Sequence, residues 1–483
     1  MKIFIDILKI IVESITEVVA LAFELLWKDH RLKASFGSKW LLKRSHTGLA
    51  VGQLRLSEAD SGKSQIIIGP SGTGKSTLFF INSLMASSGN FVVLDVSGEL
   101  LELTGAALEA RGYTISVLNL NNAERSTDGW NPLEELKRSS ESSKSFAMLL
   151  VNNTMGSASD PFWNLSSINL IALFIDFIFE VFDREYHTMY FLKYLLTRFA
   201  GEQQLFDHLF SKYASDSVFN TYKAFIASDS KVISGILATC QAALTVFDNE
   251  NVNRITGNHT FSMEHFIAED KQVVFIQNSV LSQEFLRPVN SLFFYFFFEN
   301  LMRELRSPDA PMCYFLCDEA ASIRLGPMLP LAMVNLRKYR GSIVLGLQAY
   351  QQLETLYSRE DAVNILQNSY VKIFLRNLDI NFSKTIADML GEYTYQDTKS
   401  ETDRNRKLVT ADSIRAMKQG ECLLFVGAER GVHLKKVKPF YKIRKHRALS
   451  ELPPPELEFG GLPMPSLPDL EAMAPEALGD HGV

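Results

Sequence analysis

The stretch Gln65-Ile66-Ile67-Ile68-Gly69-Pro70-Ser71-Gly72-Thr73-Gly74-Lys75-Ser76-Thr77-Leu78-Phe79-Phe80-Ile81 decides how the rest of the chain is read. From Gly69 to Ser76 it satisfies the phosphate-loop pattern GxxxxGK[ST] without a mismatch. The apolar run before it reads as a buried strand and the run after it as a helix. Glycines let backbone N–H groups turn inward around phosphate oxygens, and the first helical turn adds unpaired N–H groups and a positive dipole end. Gly69, Pro70, Ser71, Gly72, Thr73, Gly74, Lys75, Ser76 and Thr77 are the expected nucleotide-binding residues. Lys75 is expected to meet the β- and γ-phosphates as a catalytic residue, and Ser76 to ligate magnesium. ATP and Mg2+ are the expected cofactors, although the pattern does not separate ATP from GTP.

A nucleotide bound there needs acidic groups opposite its phosphates, and Met312-Cys313-Tyr314-Phe315-Leu316-Cys317-Asp318-Glu319 offers them at the end of an apolar strand. Asp318 is expected to complete the metal shell and Glu319 to polarise the attacking water. A catalytic glutamate points to NTP hydrolysis and away from transfer to a substrate hydroxyl. Further on, the strand beginning at Ser342 ends in Leu347-Gln348, and Gln348 at its tip is expected to sense the γ-phosphate. Asn335-Leu336-Arg337-Lys338-Tyr339-Arg340 places a basic cluster beside it. Its arginines either cover a helix C-terminus or supply a finger to a neighbouring subunit's nucleotide.

Strands at 65–68, 91–94 and 114–118, separated by helical patterns, read as a parallel doubly wound α/β sheet with ligands at its carboxyl edge. Helical periodicity dominates 132–269, as an inserted all-α domain, and sheet signals resume at Gln272. The expected organisation is an N-terminal amphipathic helix with a basic link over 1–33, nucleotide-binding sequence over 34–131 and 270–448, the all-α insertion, and a tail over 449–483. The aromatic run Phe293 to Phe298 is too short to span a bilayer and reads as a buried crossover helix. The four cysteines show no CxxC spacing, and Cys313 and Cys317 read as small core residues. A net charge of −6 reflects the acidic tail, so the near-neutral body neither demands nor excludes nucleic acid.

The first 27 residues are very apolar, but Asp6, Lys9, Glu13, Thr16, Glu17 and Glu24 fall on one helical face. That stripe makes spanning lipid costly and favours docking on a partner or on the protein itself, with no predicted transmembrane helix. After the last strand come Lys435, Lys436, Lys438, Lys442, Arg444, Lys445 and Arg447. They suit phosphates or an acidic membrane surface, while alternating Leu434, Val437 and Phe440 fit an edge strand with a solvated basic face. The Pro-rich acidic tail cannot bury a core, so it is expected to be disordered or extended alone, and either inert or threaded into an adaptor's groove.

Several separate pieces resemble the coupling proteins of type IV secretion and conjugation, the TraG-like ATPases related to FtsK and HerA translocases. They run from Phe36-Gly37-Ser38 and Gly48-Leu49-Ala50-Val51-Gly52, through Asp95-Val96-Ser97-Gly98-Glu99-Leu100, to Trp130-Asn131-Pro132-Leu133 and Ser159-Asp160-Pro161-Phe162-Trp163. Asp318-Glu319-Ala320-Ala321-Ser322, Gly346-Leu347-Gln348 with Gln352-Leu353, and the segments 368–374 and 420–426 complete the pattern. The resemblance implies a RecA-like P-loop motor, usually a hexamer around a channel, with Arg337 at the finger position. It implies partners too: secretion channel components, and a relaxase with single-stranded DNA or protein effectors as cargo. The departures are Val96-Ser97 for the usual Pro-Lys, Ala320 for a bulky residue, and the missing N-terminal transmembrane pair. The last suggests a protein of the bacterial cytoplasm, peripheral at the inner membrane and held by an adaptor or membrane partner through either terminus. A soluble FtsK/HerA-like DNA translocase and a nucleotide-ordered recruitment platform are the alternatives.

Overall fold

The computed structural model of the chain describes residues 34–37, 42, 48–155, 161–396 and 403–474. The expected N-terminal helix, Ser38, Ser159, Asp160 and the last stretch of the tail, 475–483, lie outside the described residues.

A small hairpin of β1 (Ala50–Val51) and β2 (Leu54–Arg55) precedes the loop strand β3 (Gln65–Ile68). In chain order there follow β4 (Asn90–Asp95), β5 (Thr114–Asn119), β6 (Gln272–Gln277), β7 (Cys313–Cys317), β8 (Gly341–Leu347) and β9 (Val371–Phe374). A second hairpin, β10 (Glu392–Gln396) with β11 (Asp403–Lys407), stands apart from the sheet; β12 (Cys422–Val426) and β13 (Val432–Leu434) complete it. The nine-stranded order is β13-β12-β9-β3-β8-β7-β4-β6-β5. It is parallel from β9 to β5, and β12 and β13 close one edge antiparallel. Because both faces are covered, the central strands are largely apolar: Ile66 to Ile68 in β3, after the buried amide of Gln65, and Cys-Tyr-Phe-Leu-Cys in β7 are buried at every position.

Side chains alternate between two cores. Ile67, Phe91, Val93, Tyr314 and Leu316 face α1 (Ser76–Ala86) and α2 (Glu99–Glu109). Ile66, Ile68, Val92, Leu94 and Phe315 face the other way. Among the described residues no strand lies between β5 and β6. That stretch carries α3 (Ser140–Met155), α4 (Pro161–Val181), α5 (Met189–Phe199), α6 (Gln203–Tyr213), α7 (Asp216–Ile226), α8 (Ser230–Ala243), α9 (Glu250–Thr256) and α10 (Met263–Ala268). The division at 132 and 269 is one of chain path: apolar packing runs unbroken from the second sheet face, through α11 (Gln283–Leu301), into α3 and α4. Phe293, Phe294, Phe296, Phe297 and Phe298 form that bridge, meeting Trp130, Phe146, Phe261 and Phe315 in edge-to-face or tilted ring contacts. By length and composition α4 is apolar enough to cross a membrane, yet Ile168 and the side chains from Leu170 to Ile175 are buried against its helical neighbours.

Two expectations change. The edge strand β13 stops at Leu434; Val437 and Phe440 are still buried, but on coil and a short turn, because Lys436 takes a left-handed turn at φ +62°. The described tail, 449–474, is largely extended, but it lies along this chain's own body. Leu462, Leu470 and Ala474 are buried in the larger core. Proline keeps the segment from building a core of its own, and its spaced leucines find one already made.

Candidate active site

Strand order places the site. The loop strand β3 and the acidic strand β7 are not neighbours; β8 lies between them, so the carboxyl end of β8 opens between the loop and the acidic pair. The loop itself needs its glycines: Gly72 and Gly74 have φ of +74° and +107°, and a Cβ on Gly69 would meet Thr73 Oγ1 and Leu375 Cβ at 2.7 Å. Gly69 N–H donates to Leu347 O at 3.0 Å, tying the loop to β8. Gly346 allows the same closeness on the other side, since a Cβ there would sit 2.5 Å from Asp318 O.

Ser76 Oγ donates to Asp318 Oδ2 at 2.6 Å. Asp318 Oδ1 is buried and has no partner among the described residues. Burial pushes the Asp318 carboxyl up to about 6, against the opposing pull of Ser76 and Lys75. A hydroxyl beside a carboxylate with one free oxygen is a hard-oxygen donor set, and magnesium commonly takes only one or two protein ligands beside phosphate and water. No larger cluster of His, Cys, Asp and Glu that could cage a metal occurs among the described residues. Ser76 and Asp318 therefore fit Mg2+. Lys75 Nζ donates to Gly69 O at 2.7 Å; burial lowers its pKa, and Asp318 and Glu319 pull it back.

Glu319 is held by two amides. Gln348 Nε2 donates to Oε2 at 2.6 Å and Gln352 Nε2, on α12 (Gln351–Leu356), donates to Oε1 at 3.0 Å. Gln352 Oε1 in turn accepts from the N–H groups of Gln348, at 2.7 Å, and Ala349. The positioning part of Gln352 was not read from the sequence, where it figured only in a family motif. Its spacing of four residues from Gln348, across a turn into a helix, is the signal that could have shown it.

Behind the acidic pair, Gln283 Nε2 reaches Ser322 Oγ at 2.5 Å, and Arg287 Nε and Asn290 Nδ2 reach the carbonyls of Ala321 and Ser322. The start of α11 is thus fastened to the loop that follows Glu319. Asp95 at the end of β4 caps α2, accepting from the N–H groups of Leu100 and Leu101, and is bridged by Gln277 to Asn119.

Arg337 is not brought to this site. It lies on a turn, Leu336–Tyr339, before β8, at the opposite edge of the sheet. The seven residues of β8 separate the basic cluster from Gln348 by roughly 20 Å, so the two are not side by side as the sequence order suggested. Arg337 is exposed, and among the described residues it makes no ion pair. Arg340 is engaged locally, donating to Ala310 O at 2.9 Å.

The family described as type IV secretory system conjugative DNA transfer matches residues 33–458. Protein VirD4 of Rhizobium rhizogenes is 22% identical over 421 residues, covering 83% of this chain and 61% of that protein. VirD4 of Agrobacterium fabrum is 21% identical over the same shares. The chain thus spans about 61% of the length of these curated relatives. In fold it resembles the conjugative coupling protein TrwB. The structure of TrwB with sulphate superposes with a TM-score of 0.66 at 17% identity, covering 84% of this chain and 94% of that one. The complex of TrwB with ADP and Mg2+ gives 0.67 at 16% identity, with the same coverage. The RecA-like P-loop fold with an all-helical part, expected from the sequence, is the fold of these structures.

Proposed function

Because the chain belongs to the type IV secretory system conjugative DNA transfer family, we propose that it is a P-loop ATPase that couples cargo to a type IV secretion channel. The cargo would be a relaxase with attached single-stranded DNA, or protein effectors, and the working form a homo-oligomer, a hexamer by family resemblance. The protein would act in the bacterial cytoplasm at the inner membrane, held by channel components or by an adaptor.

One observation carries the hydrolytic part: an acidic pair whose two members are used differently. Asp318 turns to Ser76 with an oxygen left over, while Glu319 turns away to Gln348 and Gln352. The loop N–H groups and Lys75 would hold the phosphates. Ser76 and Asp318 would hold Mg2+, which when bound neutralises phosphate charge. Glu319 would take the proton of the attacking water, its carboxylate aimed by the two glutamines. A change in what Gln348 touches would pass to Glu319, then through Ala321 and Ser322 to α11. Arg337 would act on a neighbouring subunit's nucleotide, a reading supported by its place at the edge of the sheet away from its own loop.

The test is ATP hydrolysis by purified protein with and without single-stranded DNA at low salt, with Glu319→Gln as control. Stimulation that vanishes in the variant supports a DNA-driven motor. Hydrolysis indifferent to DNA directs the reading to protein cargo. No hydrolysis alone or with secretion partners overturns it.

A further inference from the structure

The seat of the C-terminal segment on the helical region is built like a peptide-binding groove. Two carbonyls of consecutive tail residues are read by side chains from one helix end: Arg254 Nε donates to Leu462 O at 2.7 Å and Asn258 Nδ2 to Pro463 O at 2.9 Å. Between them, Gly257 makes room for the ring of Pro465; a Cβ there would stand 2.2 Å from Pro465 Cγ. Its φ is −93°, which any residue adopts, so the close approach and not the backbone is what calls for glycine. Farther along, Tyr213 Oη donates to Met473 O at 2.9 Å, and Arg198 Nη2 meets Glu471 Oε1 at 2.7 Å while also bound to Glu202.

Main-chain carbonyls read by side chains, two leucine anchors and an acid–base pair are the elements by which proteins hold extended peptides. Leu462 is 3% exposed and Leu470 fully buried, yet the residues between them are mostly exposed. The segment is held at its ends and by its backbone. Its upstream part is docked more lightly, with Gly460 N–H on Ser126 O and Pro455 resting on Gly105. A covalently attached ligand of this kind is present at an effective concentration on the order of millimolar, which suffices to keep a weak site filled.

We infer that this seat on α5, α6 and the end of α9 is a recognition groove, filled in cis by residues 461–474, which takes an extended, acidic, proline-containing segment of a partner protein with two leucines spaced like Leu462 and Leu470. The tail is its resident competitor. The inference does not depend on nucleotide hydrolysis, because every contact it uses lies away from the phosphate loop.

The probe is a fluorescent peptide of residues 453–474, its anisotropy read against the full chain and against the full chain carrying Leu462→Asp with Leu470→Asp. The peptide should bind the double variant about tenfold or more tighter than wild type. Adding Arg254→Ala should remove that gain, and a peptide with both leucines replaced by alanine should not bind. If the double variant does not fold, wild-type chain with a protease site inserted after Leu452 gives the same comparison before and after cutting. Equal binding to occupied and emptied chains, no binding to either, or indifference to Arg254 overturns the inference. So does a wild-type multimer that the anchor variant breaks into single chains, because the seat would then hold the tail of a second copy.

Discussion

Ser76 and Asp318 stand 242 residues apart in sequence and 2.6 Å apart in space, across the width of the intervening strand β8. That contact joins the phosphate loop to the acidic strand and leaves Glu319, the next residue, pointing to the glutamines.

Replacing Glu319 by Gln keeps the size and the hydrogen-bonding reach of the side chain but removes the base. Steady-state hydrolysis should fall roughly 10²- to 10⁴-fold while nucleotide binding, read by a fluorescent ATP analogue, is retained. Loss of binding together with turnover would assign Glu319 to the ground state instead.

Gln352 aims Glu319 and also holds the backbone after β8. Gln352→Ala should lower kcat about tenfold with KM unchanged, because the positioned carboxylate matters in the transition state. Gln352→Glu would face Glu319 with a like charge and should be worse than alanine, whereas a merely structural side chain would tolerate glutamate better.

Gly346 sits where a methyl group would collide with Asp318 O. Gly346→Ala should therefore displace the acidic pair from the loop and cost about a hundredfold in hydrolysis, with a thermal transition near that of wild type. A variant that hydrolyses normally would show that β8 adjusts without moving Asp318.

Arg337 lies at the edge of the sheet away from its own loop. Arg337→Ala and Lys75→Ala should each be inactive, the first by roughly 10³-fold or more, yet mixing the two should restore part of the activity through shared interfaces. No recovery on mixing would count against a finger acting between subunits.

His446 joins the helix Arg444–Ser450 to α1, its Nδ1 2.5 Å from Asn82 Oδ1. Burial, with Arg55, Lys445 and Arg111 nearby, pushes its pKa down to about 4. The unfolded chain then takes up the proton first, so the group costs nothing above pH 6.5 and destabilises the fold progressively as pH falls from 6.5 towards 4. Tm should drop more steeply over that window in wild type than in His446→Gln. Parallel curves would show that His446 is not held neutral.

The phosphate loop was legible because all of its donors come from one contiguous run, and the strand and helix around it are local patterns. The acidic strand β7 and Gln348 at the tip of β8 were legible as ends of apolar runs. Gln352 was harder: its purpose depends on where the Glu319 carboxylate points, which no local periodicity states. The basic cluster at 335–340 is near Gln348 in sequence but not in space, because sequence proximity ignores the length of the strand between them. Proline and acid in the tail correctly ruled out a core of its own, but said nothing about whether another surface had been shaped to receive Leu462 and Leu470.

By itself, then, the sequence determined the nucleotide loop, the acidic pair, the alternation of strands and helices, and a family resemblance, since each rests on residues near one another along the chain. The tertiary structure alone decided that β8 separates β3 from β7, that Ser76 reaches Asp318, that Arg337 lies a strand's length from Gln348, and that the tail lies on α5, α6 and the end of α9. The physical reason is the same throughout. Backbone preference acts over a few residues, whereas strand order and docking are chosen by which apolar faces, far apart in sequence, bury one another best.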